Sequence, residues 1–360
     1  MILPTTYATA LMLMIVTMLC WGSWANTFKL AGKWRFELFY YDYSIGVLIM
    51  ALVIGLTFGS LGPTSFELVD DLLASGYRKI AYALAAGVVF NLANMLLVAA
   101  IAVAGMSVAF PIGIGLALII GVVWNYILQP QGNPMLLFLG VALVLGAIIV
   151  DAIAYRRNAS RPEPDDDASE AAKPEKKGKK AEAKKRKAAK GIILSVVCGV
   201  LMGSFYPLVQ MSREGGIGSG GLGPYAVSFL FAIGVFVSTF VFNLYFLNLP
   251  VQGKPISIGA YFHGSFKQHL LGILGGLIWC AGAIANFVAS EESQGVHVGP
   301  AISYAFGQGA TMVSALWGVF LWKEFAGASK NVRLLLALMF ILFTGGLALI
   351  SVAPVFWTPK

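Results

Sequence analysis

Residues 36–56 read FELFYYDYSIGVLIMALVIGL, and this stretch indicates whether the protein folds in water or in a lipid bilayer. It is an apolar run of about the 20 residues that a helix needs to cross the hydrocarbon core of a bilayer. One residue departs from the pattern. Asp42 stands among three tyrosines, and no cation occurs in the twelve residues that follow it. A charge in such a segment is costly, so its presence needs a structural or functional reason.

The rest of the chain has the same apolar character. Of its 360 residues, 58% are hydrophobic and 12% are charged, and the mean hydropathy is +0.79. Soluble domains carry about a quarter charged residues. In lipid the backbone must satisfy its own hydrogen bonds, which favours helices. We therefore predict an all-α polytopic membrane protein with ten transmembrane helices. They are built around residues 8–20, 45–58, 82–104, 113–123, 135–150, 192–201, 226–246, 270–290, 310–321 and 334–352.

The residues that usually carry metal or redox chemistry are few and scattered. The three cysteines lie within apolar blocks and have no CxxC or His-paired spacing. The histidines His263, His269 and His297 fall in predicted loops or at helix ends. The sequence therefore predicts no metal site, no cofactor and no enzymatic activity.

One charged segment, residues 156–190, separates the apolar blocks into two sets of five. It carries an acidic patch followed by a basic one, without apolar periodicity, which predicts a disordered or transiently helical linker. A solvated linker held near anionic lipid headgroups is favoured over a nucleic-acid site. The predicted domains are a first five-helix repeat at 1–155, the linker at 156–190 and a second repeat at 191–360.

The distribution of positive charge predicts the orientation. With the linker in the cytoplasm and both termini outside, 21 of the 25 Lys and Arg residues lie inside and four outside. The imbalance is 8 to 4 when the long linker is left out. No positive charge precedes the first helix, which is the wrong polarity for a cleavable signal peptide. The predicted location is the plasma (inner) membrane.

Short motifs recur in the same order in the two halves. CWGSWANTFKL at residues 20–30 corresponds to LMGSFYPLVQM at 201–211, and a Pro, two Gly and a Trp recur at 111–124 and 300–317. Five spans per half is an odd number, so the second half must be inverted relative to the first. Two inverted five-helix repeats with a site near the midplane are typical of secondary transporters.

These residues resemble a known family. The five-plus-five pattern resembles the drug/metabolite transporter superfamily, and residues 21–46 are similar to the first two helices of ureide permeases, which carry an Asp-Tyr at Asp42-Tyr43. The same opening resembles sugar porters such as rhamnose–proton symporters. The resemblance implies import of allantoin, uracil and related nitrogen-rich heterocycles together with protons.

The chain departs from that family's pattern in two places. Ala25 and Asn26 replace the Pro-Ala that follows the family's Trp, so the first helix is expected to lack its kink. Plant members carry a phosphate-loop motif in the central loop, whereas the linker here has only Gly178-Lys179-Lys180. No nucleotide site is carried over.

Asp42 is the predicted proton-coupling residue. Partial burial would let its carboxyl bind and release a proton during the transport cycle. The alternative is an anchor at the helix end beside Lys33 and Arg35, where a first-turn carboxylate is favoured by the helix dipole. Both roles stay open on the sequence alone.

Neutral polar and aromatic side chains are the candidate substrate site, because stacking and amide hydrogen bonds suit a planar heterocycle. Asn91 and Asn94 share a helix face, and Gln308 lies between two glycines. An interhelical hydrogen bond or simple packing is the alternative for each of them. The predicted substrate-binding residues are Trp24, Asn26, Tyr43, Asn91, Asn94, Tyr206, Trp279, Asn286, Tyr304 and Gln308.

The sequence thus predicts a secondary-active importer of a small polar solute, either a ureide, a nucleobase or a similar nitrogen heterocycle, coupled to protons. A sugar porter or a multidrug or metabolite exporter is the alternative within transporters, and a membrane receptor or scaffold is the alternative outside them. The predicted partners are the solute, protons and the lipid bilayer. A homodimer is left open, and no nucleic-acid partner is predicted.

Overall fold

A computed structural model describes residues 1–61, 67–159, 174–250, 253–291 and 296–357. Helices dominate this part of the chain, and it contains no β-strand beyond one isolated bridge. The helices are α1 Tyr7–Ser23, α2 Ala25–Leu30, α3 Phe36–Leu56, α4 Leu68–Ala74, α5 Tyr77–Ala104, α6 Met106–Leu128, α7 Pro134–Ala159, α8 Pro174–Arg213, α9 Pro224–Asn248, α10 Phe266–Ala289, α11 Pro300–Gly307, α12 Ala310–Leu316 and α13 Lys330–Val352. A 3-10 turn spans Ile258–His263 and a π turn spans Trp317–Leu321.

Nine helical segments in the described ranges are long and apolar enough to cross a membrane. They are α1 joined to α2, then α3, α5, α6, α7, residues 189–213 of α8, α9, α10 and α13. The chain is therefore a multi-pass helical membrane protein, as the composition predicted. Trp24, between the end of α1 at Ser23 and the start of α2 at Ala25, has helical backbone angles.

The ninth predicted span, residues 310–321, is not one long helix. Residues 300–321 are divided among α11, α12 and the π turn. The division falls at Gly307-Gln308-Gly309, where the amides of Gln308 and Gly309 bond to carbonyls only three residues back. Glycine is a poor helix former, which explains the interruption at this point. The count of ten spans and the inverted repeats remain predictions.

The predicted linker lies partly outside the described residues. Residues 156–159 continue α7, residues 174–190 form the first part of α8, and residues 160–173 are outside the described ranges. We call the end of the bundle where α7 ends and the apolar part of α8 begins the linker end. The opposite end, where α8 ends and α9 begins, is called the far end.

Glycines let the spans pack at close range. A Cβ at Gly276 of α10 would overlap the carbonyl of Tyr43 on α3, and one at Gly46 would overlap Ile273 O in return. In the same way, Gly87 of α5 lies against the backbone of α9. Small residues at helix contacts are a general means of association in membranes. Here they hold α10 against α3, which is the pair that carries Asp42.

Candidate functional site

A cavity of about 170 Å³ lies among α1, α2, α5, α6, α8, α10, α11 and α12. It is bounded by residues from both halves of the chain. Its aromatic lining consists of Trp21, Trp24, Phe90, Phe110, Phe205 and Trp279, and its polar side chains are Asn94, Gln308, Thr311 and Ser314. An apolar, aromatic pocket with a few polar groups is the usual form of a small-molecule site.

The aromatic wall is held by ring contacts. Trp279 stacks on Phe90 with ring centroids 4.3 Å apart and on Trp21 at 6.0 Å. Trp24 packs against Tyr43 at 5.0 Å. Because Trp21, Trp24, Phe90 and Trp279 are held by neighbouring rings, this part of the wall is a fixed apolar surface. Such a surface suits a planar ligand.

The polar side chains of the cavity differ in how they are bound. Asn94 donates from Nδ2 to Tyr40 Oη at 3.0 Å, which orients its amide. The side chains of Gln308, Thr311 and Ser314 form no hydrogen bond with any described residue. These three groups are therefore available to a ligand.

The structure brings together four of the ten predicted substrate residues in this cavity: Trp24, Asn94, Trp279 and Gln308. Tyr43 is fully buried just behind the wall, in contact with Trp24 and Trp279. Thr311 and Ser314 were not predicted. A polar residue every third position after Gln308 was the signal that could have identified them, since such residues share a helix face.

The other predicted residues bond to neighbouring protein groups. Asn91 joins α5 to α9 through Ser238 Oγ at 2.8 Å and Thr239 Oγ1 at 3.1 Å. Asn286 and Ser303 exchange two hydrogen bonds, each from the side chain of one residue to the carbonyl of the other. These contacts are hydrogen bonds between helices, which is the alternative role that the sequence left open for each polar residue.

The remaining three predicted residues are also occupied. Tyr206 donates to Ser290 Oγ at 3.1 Å, and Tyr304 contacts two carbonyls, Ala117 O and Met202 O, at 3.3 Å. Asn26 accepts from Trp322 Nε1 at 2.6 Å and donates to Ser23 O. None of the three is among the residues that line the central cavity.

Asp42 lies in a second cluster, at the linker end of α3. It is 2% exposed, and its two carboxylate oxygens have different partners. Oδ1 accepts from Tyr261 Oη at 2.6 Å, and Oδ2 lies 2.8 Å from His269 Nδ1. Trp34 packs against both partner rings, with centroids 6.2 Å and 4.9 Å away. We call Asp42, Tyr261, His269 and Trp34 the Asp42 cluster.

Local structure explains how the partners reach Asp42. His269 is in the first turn of α10, just after a capping box formed by Ser265 and Gln268. Tyr261 is in the 3-10 turn that precedes α10, and burial raises the pKa of its hydroxyl above the usual range. Tyr261 therefore stays protonated and acts as a donor to Asp42.

The expected cations do not pair with Asp42. Arg35 forms its ion pair with Glu37, and its Nη1 donates to Lys254 O at 3.0 Å. His269 was placed at a helix end by the sequence but was not connected with Asp42. The separation of 227 residues gives no local pattern that would reveal the pairing.

The far end is held by a different set of polar contacts. Arg213 at the end of α8 pairs with Glu291 and donates to Ser290 Oγ at 2.8 Å. Arg213 is 7% exposed, so this charge is satisfied almost wholly by protein groups. An adjoining cavity of about 410 Å³ also reaches Gln129 and Gln210, which bond to each other.

Comparison with known sequences and structures shows which family the chain is similar to. The family model described as ureide permease matches residues 39–195 and 175–353. Ureide permease 1 of Arabidopsis thaliana is 26% identical over 384 residues, covering 95% of this chain and 96% of that protein. Ureide permease 2 of the same plant is 27% identical over 397 residues, covering 95% and 96%.

A further relative and a solved structure cover most of the chain. The probable ureide permease A3 of Vigna unguiculata is 26% identical over 345 residues, covering 81% of this chain and 88% of that protein. One crystal structure aligns with 99% of this chain and 100% of its own, at a TM-score of 0.59 and 16% identity. At that identity the likeness concerns the fold alone.

Proposed function

The chain belongs to the ureide permease family, and from this membership we propose that it is a secondary-active transporter of a small polar solute. The proposed solute is a ureide, a nucleobase or a similar nitrogen heterocycle. The observation that carries the proposal is the central cavity, which combines an aromatic wall with the side chains of Gln308, Thr311 and Ser314, none of which has a hydrogen-bond partner among the described residues.

The lining of the cavity supports a planar, amide-bearing solute. A flat ring can stack on the face of Trp24, where aromatic contacts add to the burial of apolar area. The amide of Gln308 offers both a donor and an acceptor, and Asn94 offers its carbonyl oxygen because Tyr40 occupies its Nδ2. A ring that carries N–H and C=O groups satisfies all of these partners.

The Asp42 cluster supports coupling to protons. A carboxylate inside a membrane span is energetically costly, and its presence there points to a function. Asp42 also has a titratable neighbour in His269. In the proposed cycle Asp42, with His269, takes up and releases the coupling proton. The next residue, Tyr43, contacts Trp24 and Trp279, so a shift of α3 would reach the cavity wall.

The proposed direction is import across a plasma membrane, with the linker inside and both termini outside. The support is the excess of Lys and Arg on the linker side of the bundle. The proposed substrate site also includes Asn26, Asn91, Tyr206, Asn286 and Tyr304 as residues that position the helices around the cavity. Each of them bonds one chain segment to another.

Uptake into proteoliposomes tests the proposal. Purified protein would be given radiolabelled uracil, allantoin, rhamnose and glucose, with and without an inward proton gradient. Accumulation of uracil or allantoin that depends on the gradient is the expected result. Accumulation of rhamnose or glucose alone would make the chain a sugar porter, and the absence of uptake for all four would contradict the proposal.

A further inference from the structure

We infer that the side chains of Gln308, Thr311 and Ser314 form a polar row that selects the solute through hydrogen bonds. The inference rests on the proposed function and names residues that set its specificity. In this row Thr311 and Ser314 contact the solute directly, together with Gln308. The ligand class is a planar ring that carries adjacent N–H donors and C=O acceptors.

The spacing places the three side chains on one side of the segment. They follow each other at intervals of three residues, which keeps them near a common face of α12 and of the turn before it. All three line the central cavity. Gln308 lies at the break between α11 and α12 and lines the cavity at the other end of the row from Ser314.

In the part of the bundle that the structure describes, it is unusual that these side chains have no hydrogen-bond partner. Buried Ser and Thr side chains on helices normally donate to a carbonyl of the preceding turn. Thr17, Ser195, Ser238 and Thr239 all do so here, each to the carbonyl four residues back at 2.7–3.0 Å. Thr311 is only 8% exposed and makes no such bond. Its hydroxyl is thus left for a group inside the cavity.

Exposure along the row indicates how a solute would meet it. Ser314 is exposed, Gln308 is half-buried, and Thr311 between them is buried. Ser314 is also the member nearest the π turn and the linker end. The row therefore has its most open edge at Ser314 and its most buried hydroxyl at Thr311. A solute that enters from the linker end would exchange water for these groups one after another.

The opposite side of the cavity offers fewer hydrogen-bonding groups than the row does. On that side Phe90, Phe110 and Phe205 present carbon surfaces, Asn94 has one amide N–H bonded to Tyr40, and Trp21 adds a single buried indole N–H that forms no hydrogen bond with a described residue. An aromatic face accepts any flat ring. A site built to hydrogen-bond its ligand, in contrast, rejects an analogue without the matching group because its own polar atoms are then left unpaired. Discrimination is therefore assigned to the row.

The first test compares Thr311→Val, which keeps the shape and removes the hydroxyl, with Thr311→Ser, which keeps the hydroxyl. The measurement is initial uptake of radiolabelled uracil and allantoin into proteoliposomes. We expect Thr311→Val to raise KM at least tenfold with little change in kcat, and Thr311→Ser to stay within threefold of the wild type. Thr344→Val, at an exposed hydroxyl on α13 outside the cavity, is the matched control. An unchanged KM for Thr311→Val would overturn the inference.

A second test needs no variant and decides the matter if Thr311→Val does not fold. Unlabelled uracil and 1,3-dimethyluracil would compete against labelled uracil on the wild-type protein. Methylation blocks both N–H donors and keeps the flat ring, so we expect the dimethyl compound to compete at least tenfold less well. Equal competition would show that stacking alone selects the solute and would overturn the inference.

Failure of the proposed function would be recognised from the wild type, which would then transport neither uracil nor allantoin. The Thr311 variants are then assayed with the solute that the uptake screen identifies. An unchanged KM of Thr311→Val for that solute would overturn the row as well.

Discussion

The two roles considered for Asp42, proton carrier and structural anchor, predict different results for the same substitution. Asp42→Asn keeps the shape and can still bond Tyr261 and His269, but it removes titration of the carboxyl. If Asp42 carries the coupling proton, accumulation driven by a proton gradient should fall to the level of simple equilibration. Exchange of internal for external solute should persist, because the amide mimics the protonated acid.

The measurement compares accumulation with exchange in the same vesicles, at several external pH values. Glu37→Gln is the control. Glu37 is an acid on the same helix as Asp42, but it pairs with Arg35 and is not part of the Asp42 cluster. Full gradient-driven accumulation by Asp42→Asn would leave Asp42 a structural residue that fixes α3 to α10.

The sequence identified Asp42 because an unpaired acid in an apolar run is visible without any fold. It could not identify His269 or Tyr261 as its partners, since long-range contacts follow from the packing of α10 against α3. The same limit applies to the candidate site. Trp24, Asn94, Trp279 and Gln308 could be chosen as polar or aromatic residues in spans. Which Asn lines a cavity and which joins two helices depends on helix rotation, and their spacing alone does not fix that rotation.

Helices α3 and α10 depend on a contact that only glycine permits. A Cβ at Gly276 would overlap the backbone carbonyl of Tyr43, which lies in the helix and cannot move alone. We expect Gly276→Ala to destabilise the protein by about 1–3 kcal/mol, the usual effect of overpacking. Since the contact lies beside Asp42 and the cavity wall, uptake should fall with stability.

Thermal unfolding in detergent would measure this effect. Gly345→Ala on α13 is the matched control, because the nearest group to its added Cβ would be Leu143 Cδ1, at an ordinary 3.8 Å. Alanine is the better helix former, so Gly345→Ala should be neutral or stabilising by up to about 1 kcal/mol. Equal unfolding temperatures for the two variants would contradict the packing argument.

Helix α9 begins against a buried acid at the far end. Asp71 of α4 has no exposed surface, and its Oδ2 accepts from Gly223 N at 2.8 Å. Burial raises the pKa of Asp71 to about 6 despite that bond, and Glu291 adds to the rise. The folded state thus holds this proton more tightly than the unfolded chain does. Its contribution to stability is complete below about pH 4 and is lost as the pH rises through about 6.

Unfolding temperatures between pH 4 and pH 7 would detect this loss in the wild type. Asp71→Asn cannot titrate, so its curve should be flatter over the same window. Asp70→Asn, at the exposed neighbour on α4, should keep the wild-type slope. A wild-type slope in Asp71→Asn would assign the pH dependence to another group.

The architecture of the whole molecule followed from composition far more directly than the site did. A helix that crosses the bilayer needs about 20 apolar residues and satisfies its own backbone hydrogen bonds. The apolar blocks of the sequence were therefore enough to predict most of the spans. The interruption at residues 307–309 was not predicted, because a short apolar block gives no sign of being divided. The proposed inverted repeat is supported by matching pairs of contacts: α1 packs on α10 as α8 packs on α5, and α3 packs on α10 as α9 packs on α5.

Orientation is a property of the whole chain, and it decides which end of the bundle takes up the proton. Positively charged loops are retained in the cytoplasm, and the linker end carries most of the Lys and Arg residues. Ser219 lies at the far end and Lys254 at the linker end, and both are exposed. In a background without Cys20, Cys198 and Cys280, Ser219→Cys should react with an impermeant thiol reagent added to intact cells. Lys254→Cys should react only after the membrane is opened. The reverse labelling pattern would place the linker outside and turn the Asp42 cluster toward the exterior, so that the cluster would face the side from which the proton is taken up.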